Sequence, residues 1–233
     1  MSHLHEIDRA VALARRAATS GLTPEPRRLT RLLHRTWYLG TAAQRPVAPS
    51  ARVAPWRAWG PQWEPRTTGR SDLVRLSLCC APHTSLHAVA TAVTRLRDWD
   101  VPWLLSSRAV GRSVATPDST ALYVPADALA DLRGPVRDLV AELQPFLASG
   151  IPALTLRIGR GAALAQTPGD GRPYGEHRCS LVAHAVLANL DQPHRVVVER
   201  TLTAFRLAQV DPGRPYRALG ATWEWEGRRL SAA

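Results

Sequence analysis

The sequence predicts an α+β fold, with a mixed or antiparallel sheet and packed helices. Three observations carry this expectation. Residues 73–80, 121–124 and 154–158 are short apolar runs bounded by turn residues, as strands are. Longer stretches beside them place apolar residues three and four positions apart, as helices do. The two kinds of segment intermix along the chain with no glycine-rich phosphate loop among them.

Taken in order, residues 6–19 set Ile7, Val11, Leu13 and Ala14 on one helical face, with Arg9, Arg15 and Arg16 outside. Gly21, Pro24 and Pro26 end that helix, and a second over 27–39 carries Leu29, Leu32, Leu33, Trp37 and Tyr38 as a core stripe. From 41 to 70 the composition turns to Pro, Ala, Arg and Trp, with Trp56, Trp59 and Trp63 among Pro55, Pro61 and Pro65. Prolines remove donors and bias their predecessors towards extended backbone, so this arm is read as neither helix nor strand. Its tryptophans either pack it onto the body or offer a peptide-binding surface.

A strand over 73–80 leads through Pro82 into a helix to about Asp98, with Leu86, Val89, Val93 and Leu96 inward. Strands follow at 101–105 and 121–124, separated by a polar loop containing Arg108 and Arg112. A helix from Asp127 to about Leu147 is interrupted near Gly134 and Pro135. Strands at 154–158 and 162–165 then hand over, through the Pro168 to Gly171 turn, to a helix over 176–190 and another to Gln209. The tail alternates Trp223 and Trp225 as an edge strand would. In this reading the chain divides into a helical segment (1–40), the Pro/Trp arm (41–70), an α+β core (71–220) and a tail (221–233).

Net charge is +11, and every one of the 30 Lys+Arg residues is arginine. Guanidinium groups suit carboxylate or phosphate partners, yet no Arg-rich run, aromatic RNA-binding motif or Cys/His finger points to nucleic acid. No apolar run is long enough to span a membrane. The charged N-terminus lacks a signal-peptide pattern, so a cytoplasmic protein is expected. The three cysteines, Cys79, Cys80 and Cys179, imply no disulfide framework. Adjacent strand cysteines face opposite ways, and His83 and His87 share a helix face without a third ligand, so no metal or other cofactor is expected.

The strand-turn-helix stretch 153–181 concentrates polar side chains where pockets are commonly built. His177 stands in the first helical turn beside Tyr174 and Arg178, which suits either a neutral general base or a structural cap.

Several segments, Leu73-Val-Arg-Leu, Ala121-Leu-Tyr-Val, Leu164-Ala-Gln-Thr-Pro-Gly-Asp-Gly, Tyr174-Gly-Glu-His-Arg-Cys and Asp211-Pro-Gly-Arg-Pro-Tyr, together resemble the HopA-type effector-like family. That family holds type III effectors and the lyases of class V lanthipeptide and thioamitide synthesis. The resemblance implies a phosphothreonine-lyase-like architecture and a ribosomal precursor peptide, leader and core, as partner beside kinase-like and lyase proteins. In such lyases a lysine takes the α-proton and arginines hold the phosphate. Here the family's strand lysine falls near Ser106, its acidic residue before the Pro-Gly turn is Gln166, and its aromatic and Asn-containing continuation after the first strand is Ser77-Leu-Cys-Cys. With no lysine in the chain, a lysine-based elimination is excluded.

Three functions stay open on these grounds. The first is a thioether cyclase adding Cys to dehydroalanine or dehydrobutyrine, with His177 as base and Tyr174 or Arg178 at the enolate oxygen, or a cyclase subunit that assists by presenting the precursor. The second is a phospho-Ser/Thr lyase with His177 as base and Arg75, Arg108 and Arg157 around the phosphate. The third is a non-catalytic peptide-binding or effector-like module. Gln166, Trp56 and Trp59 complete the expected substrate-binding set.

Overall fold

The computed structural model describes residues 2–21, 25–40, 55–63, 72–109 and 115–225. The elements are α1 (His3–Thr19), α2 (Pro26–Leu33) continued by a π-helical turn (His34–Tyr38), β1 (Trp56–Trp59), β2 (Leu73–Leu78), α3 (Ser85–Leu96), β3 (Leu104–Ser107), β4 (Thr120–Pro125), α4 (Arg133–Leu143), β5 (Leu156–Gly159), β6 (Ala162–Gln166), α5 (Tyr174–Leu187) and α6 (His194–Leu207). Six strands form one sheet in the order β1-β3-β4-β2-β6-β5. Every neighbouring pair is antiparallel. The α+β expectation with an antiparallel sheet therefore holds.

Strand alternation sorts the sheet into two faces. Val74, Leu76 and Leu78 of β2, with Leu105, Leu122, Val124 and Leu164, form one apolar core with α3 and α4. The opposite face packs on α1, α2, α5 and α6, whose buried residues Ile7, Val11, Leu29, Leu33, Tyr38, Val182, Val197 and Phe205 form a second core. There the registers set Arg75 between Tyr123 and Ala165, and Ser77 between Ala121 and Ala163.

Helix α5 lies inside this second layer. It is buried on nearly all sides from Tyr174 to Val186, in keeping with the weak polar/apolar periodicity of its sequence. Gly175 permits the approach, because a Cβ there would run into the Tyr38 ring. Gly161, at φ +64°, turns β5 into β6, where a Cβ would meet the Ala148 carbonyl.

Several elements differ from the sequence reading. The 41–70 arm contains a strand after all: β1 pairs with β3 from Trp56↔Ser107 to Trp59↔Leu104. Pro55 and Pro61 flank these four residues rather than interrupt them, so the ladder donors survive. Strand β3 begins at Leu104 rather than 101: Pro102 has no N–H to give a ladder, and the Trp103 carbonyl accepts from the Gly60 amide at the ladder's end. Leu86 is 64% exposed instead of inward, since the packed stripe of α3 runs through Ala88, Val89, Ala92 and Leu96. The tail forms no edge strand over 221–225. The Trp223 indole instead donates to Gln166 and packs at 6.1 Å from Tyr216. The remainder of the arm, Arg112 and the end of the tail lie outside the described residues.

Candidate functional site

The start of α5 builds the trio singled out from sequence. The Tyr174 hydroxyl lies 2.6 Å from the Leu154 carbonyl and 3.0 Å from that of Pro215, its possible acceptors. Arg178 donates its Nε–H to the same Pro215 carbonyl at 3.0 Å and its Nη1–H to His177 Nδ1 at 2.6 Å. Its guanidinium also stacks 4.5 Å from the Tyr174 ring centre. Because Nδ1 accepts, the proton of the neutral imidazole sits on Nε2, which faces Asp170 at 3.7 Å.

All three residues are buried, with His177 only 5% exposed. Burial, then the Arg178 charge, pulls His177 down to about 4, against the weaker upward pull of Asp170. The Asp170 carboxyl is itself held low: burial opposes its ionisation, but hydrogen bonds from Arg172 outweigh it. Burial raises Tyr174 to about 12 and drives the neighbouring Cys179 thiol well up. Chemically this is a fastening. It joins α5 to the Leu154 backbone, which is in the left-handed region at φ +59° and also donates its N–H to Glu6, and to the tail at Pro215.

Gln166 fastens too, its Oε1 accepting from the Ala218 amide at 2.9 Å and the Trp223 indole at 3.0 Å. Arg157 is exposed on edge strand β5, two strands from Ser77. The arginines expected around one phosphate are thus spread out: Arg75 is buried on central β2, while Arg108 is exposed at the end of β3, its amide donating to the Ser119 carbonyl.

Around Arg75 the structure assembles residues that the sequence reading passed over. Arg75 Nη2 meets Asp118 at 3.3 Å, and its guanidinium lies 6.0 Å from the Tyr123 ring centre. Burial disfavours its charge, yet Tyr123, Tyr38 and Asp118 hold its pKa above the ordinary value. Tyr38 descends from the π-helical turn, with His34 stacked on it at 5.0 Å. Burial raises Tyr38 and lowers His34, so both are neutral at pH 7. Tyr38 Oη, Arg75 Nε and Ser77 Oγ are buried without a hydrogen-bond partner, three of the five such atoms among the described residues. Each costs about 1–3 kcal/mol if left so. The spacing of Arg75 and Ser77 on one strand was legible as a shared face; Asp118 and Tyr38, 43 and 37 residues away from Arg75, gave no local signal.

A third feature lies on the other face, at the sheet edge. Trp56 (43% exposed) stands over α3, and with Leu86, Val89, Ala90, Val93, Thr94 and Arg97 it lines an open groove of about 300 Å³. Gly60 donates to Trp103, so by antiparallel alternation Ala58 and Trp56 also face β3, and the backbone groups of Arg57 and Trp59 point outward. Among the described residues no strand pairs with that outer edge. Trp59, 65% exposed, has its side chain on the opposite face from Trp56.

Among the described residues there is no cluster of three metal-ligating side chains and no helix long and apolar enough to cross a membrane.

The effector protein structure from Pseudomonas syringae pv. tomato strain DC3000 is similar, with TM-score 0.55 and 15% identity over 94% of this chain and 83% of that one. The effector protein from P. syringae pv. syringae strain 61 gives TM-score 0.56 and 15% identity over 93% and 97%. At that identity the likeness concerns the fold. Comparison with curated proteins gives no match. Residues 60–217, well over half of the chain, match the HopA1 effector protein family, and the chain belongs to that family.

Proposed function

We propose that this protein is a peptide-binding, effector-like member of its family, which takes an extended peptide along β1 and into the groove between Trp56 and α3. The observation that carries this reading is the combination of an outward-facing backbone edge at Arg57 and Trp59 with a half-exposed tryptophan over an apolar groove. An added strand would gain main-chain hydrogen bonds from the edge, while a side chain fills the groove. The resemblance to class V lanthipeptide proteins suggests a ribosomal precursor peptide as the occupant, presented here to separate kinase-like and lyase proteins.

Binding is favoured over thioether closure or phosphate elimination by this chain itself. Both reactions would draw on His177 as base, which is buried, held near a pKa of about 4 and directed at Arg178 and Asp170. A base so weak takes little of a proton from a thiol of ordinary pKa about 8.5.

The test is a calorimetric titration with a ribosomal precursor peptide of the class V lanthipeptide type, phosphorylated, dehydrated and unmodified. Binding of all three forms, with no change in mass or free thiol, is expected. Ala90→Glu, which places a charge in the groove at an exposed position, should weaken binding at least about tenfold. Loss of phosphate would instead identify a lyase, and loss of thiol a cyclase.

A further inference from the structure

The cluster around Arg75 lies on the face of the sheet opposite Trp56 and stands apart from the groove. Its floor is made of small residues, Ala121, Ser77, Ala163 and Ala165, with Arg75 and Tyr123 rising from the same face. The charged and titratable groups facing Arg75, Tyr38 and His34 come from four places. Asp118 precedes β4, Arg108 ends β3, Glu176, Tyr174, Arg178 and Cys179 belong to α5, and Tyr123 belongs to β4.

Three donors are unmatched here, the Tyr38 and Ser77 hydroxyls and the Arg75 Nε–H. Native proteins leave few buried polar groups unpaired, and a concentration of them on one strand face asks for an oxygen-rich partner. The charge balance selects its class. Arg75 and Asp118 cancel, and the nearby Arg108 and Glu176 also carry opposite signs. A dianion would bring two negative charges where the ion pair leaves only the Nε–H edge of Arg75 to meet them. A planar monoanion suits two hydroxyl donors and one guanidinium N–H.

We infer that Tyr38, Arg75 and Ser77 form a binding site for a single carboxylate, either a small free acid or the C-terminus of a peptide.

The experiment titrates the full chain at pH 7, by calorimetry, with acetate, with trialanine as free acid, with trialanine amide and with inorganic phosphate. Trialanine free acid is expected to bind at least about tenfold more tightly than the amide, and acetate more tightly than phosphate. Acetate equal to trialanine marks a small acid as the ligand, and a trialanine preference marks a chain end; both support the site. Tyr38→Phe and Ser77→Ala should each weaken binding about five- to tenfold while leaving the melting temperature within a few degrees. Ala90→Glu should leave this affinity unchanged, which separates failure here from failure of the groove. Equal binding of acid and amide, tighter binding of phosphate, full affinity in Tyr38→Phe, or no carboxylate binding at roughly 10 mM would each overturn the assignment.

Discussion

The start of α5 and the face of β2 beneath Tyr38 each gather a tyrosine and an arginine, to opposite ends. At α5 a tyrosine, a histidine and an arginine find partners in one another and in the Leu154 and Pro215 carbonyls. At β2 a tyrosine, a serine and an arginine keep three buried donors unmatched, with only Asp118 engaged. A closed network contributes to folding; an open one costs stability until something else completes it. The difference teaches that burial and a perturbed pKa mark both kinds of place, and that hydrogen-bond completeness separates them.

The largest effect should come from Arg178→Ala, which removes a fully buried side chain together with its bonds to Pro215 and His177. A loss of about 3 kcal/mol or more in denaturant unfolding is expected. Arg75→Ala should cost clearly less, since its Nε–H is unmatched; equal losses would break the comparison. Gly175→Ala forces a methyl into the Tyr38 ring and should cost about 2 kcal/mol, because neither α5 nor the buried ring has room to move.

Removing the two hydroxyls sharpens the contrast at the level of one atom. Tyr174→Phe loses a made hydrogen bond and should destabilise by about 1 kcal/mol. Tyr38→Phe removes an unmatched group and should lie within about 0.5 kcal/mol of the parent, or above it in stability.

The smallest effect at neutral pH belongs to His177. The unfolded histidine takes up a proton near 6.5, while the folded one resists until about 4. Stability should therefore be fully present above pH 6.5, fall as pH drops towards 4 and level off below. His34, lowered by burial, adds slope of the same sign. His177→Gln should flatten part of the curve measured between pH 7 and 4, and an unchanged slope would show that His177 titrates normally.

Much of the fold was legible in the chain. Periodicity located α1, α2, β2, β4, α5 and α6 to within a few residues, because each sets a continuous stripe or run of apolar side chains against a core. It missed β1, whose four residues are flanked by prolines and whose strand character comes from pairing with β3. It also placed Leu86 inward, because a helical stripe read alone does not say which flank the sheet covers.

The candidate sites divide in the same way. Tyr174, His177 and Arg178 were visible as neighbours, and Arg75 with Ser77 as an alternating pair, since the spacing of one element suffices for that. Whether a group so found is satisfied depends on partners far along the chain: Pro215 for Arg178, Asp118 for Arg75, and Tyr38 above β2.

By itself the sequence determined an α+β chain, an all-arginine basic surface without a lysine base, and the stretch where α5 begins. Only the tertiary structure decided that this stretch is a completed fastening and that the open donors lie on β2 and on Tyr38 above it. Hydrogen-bond satisfaction is a property of groups brought together across the sheet, and no local spacing encodes it.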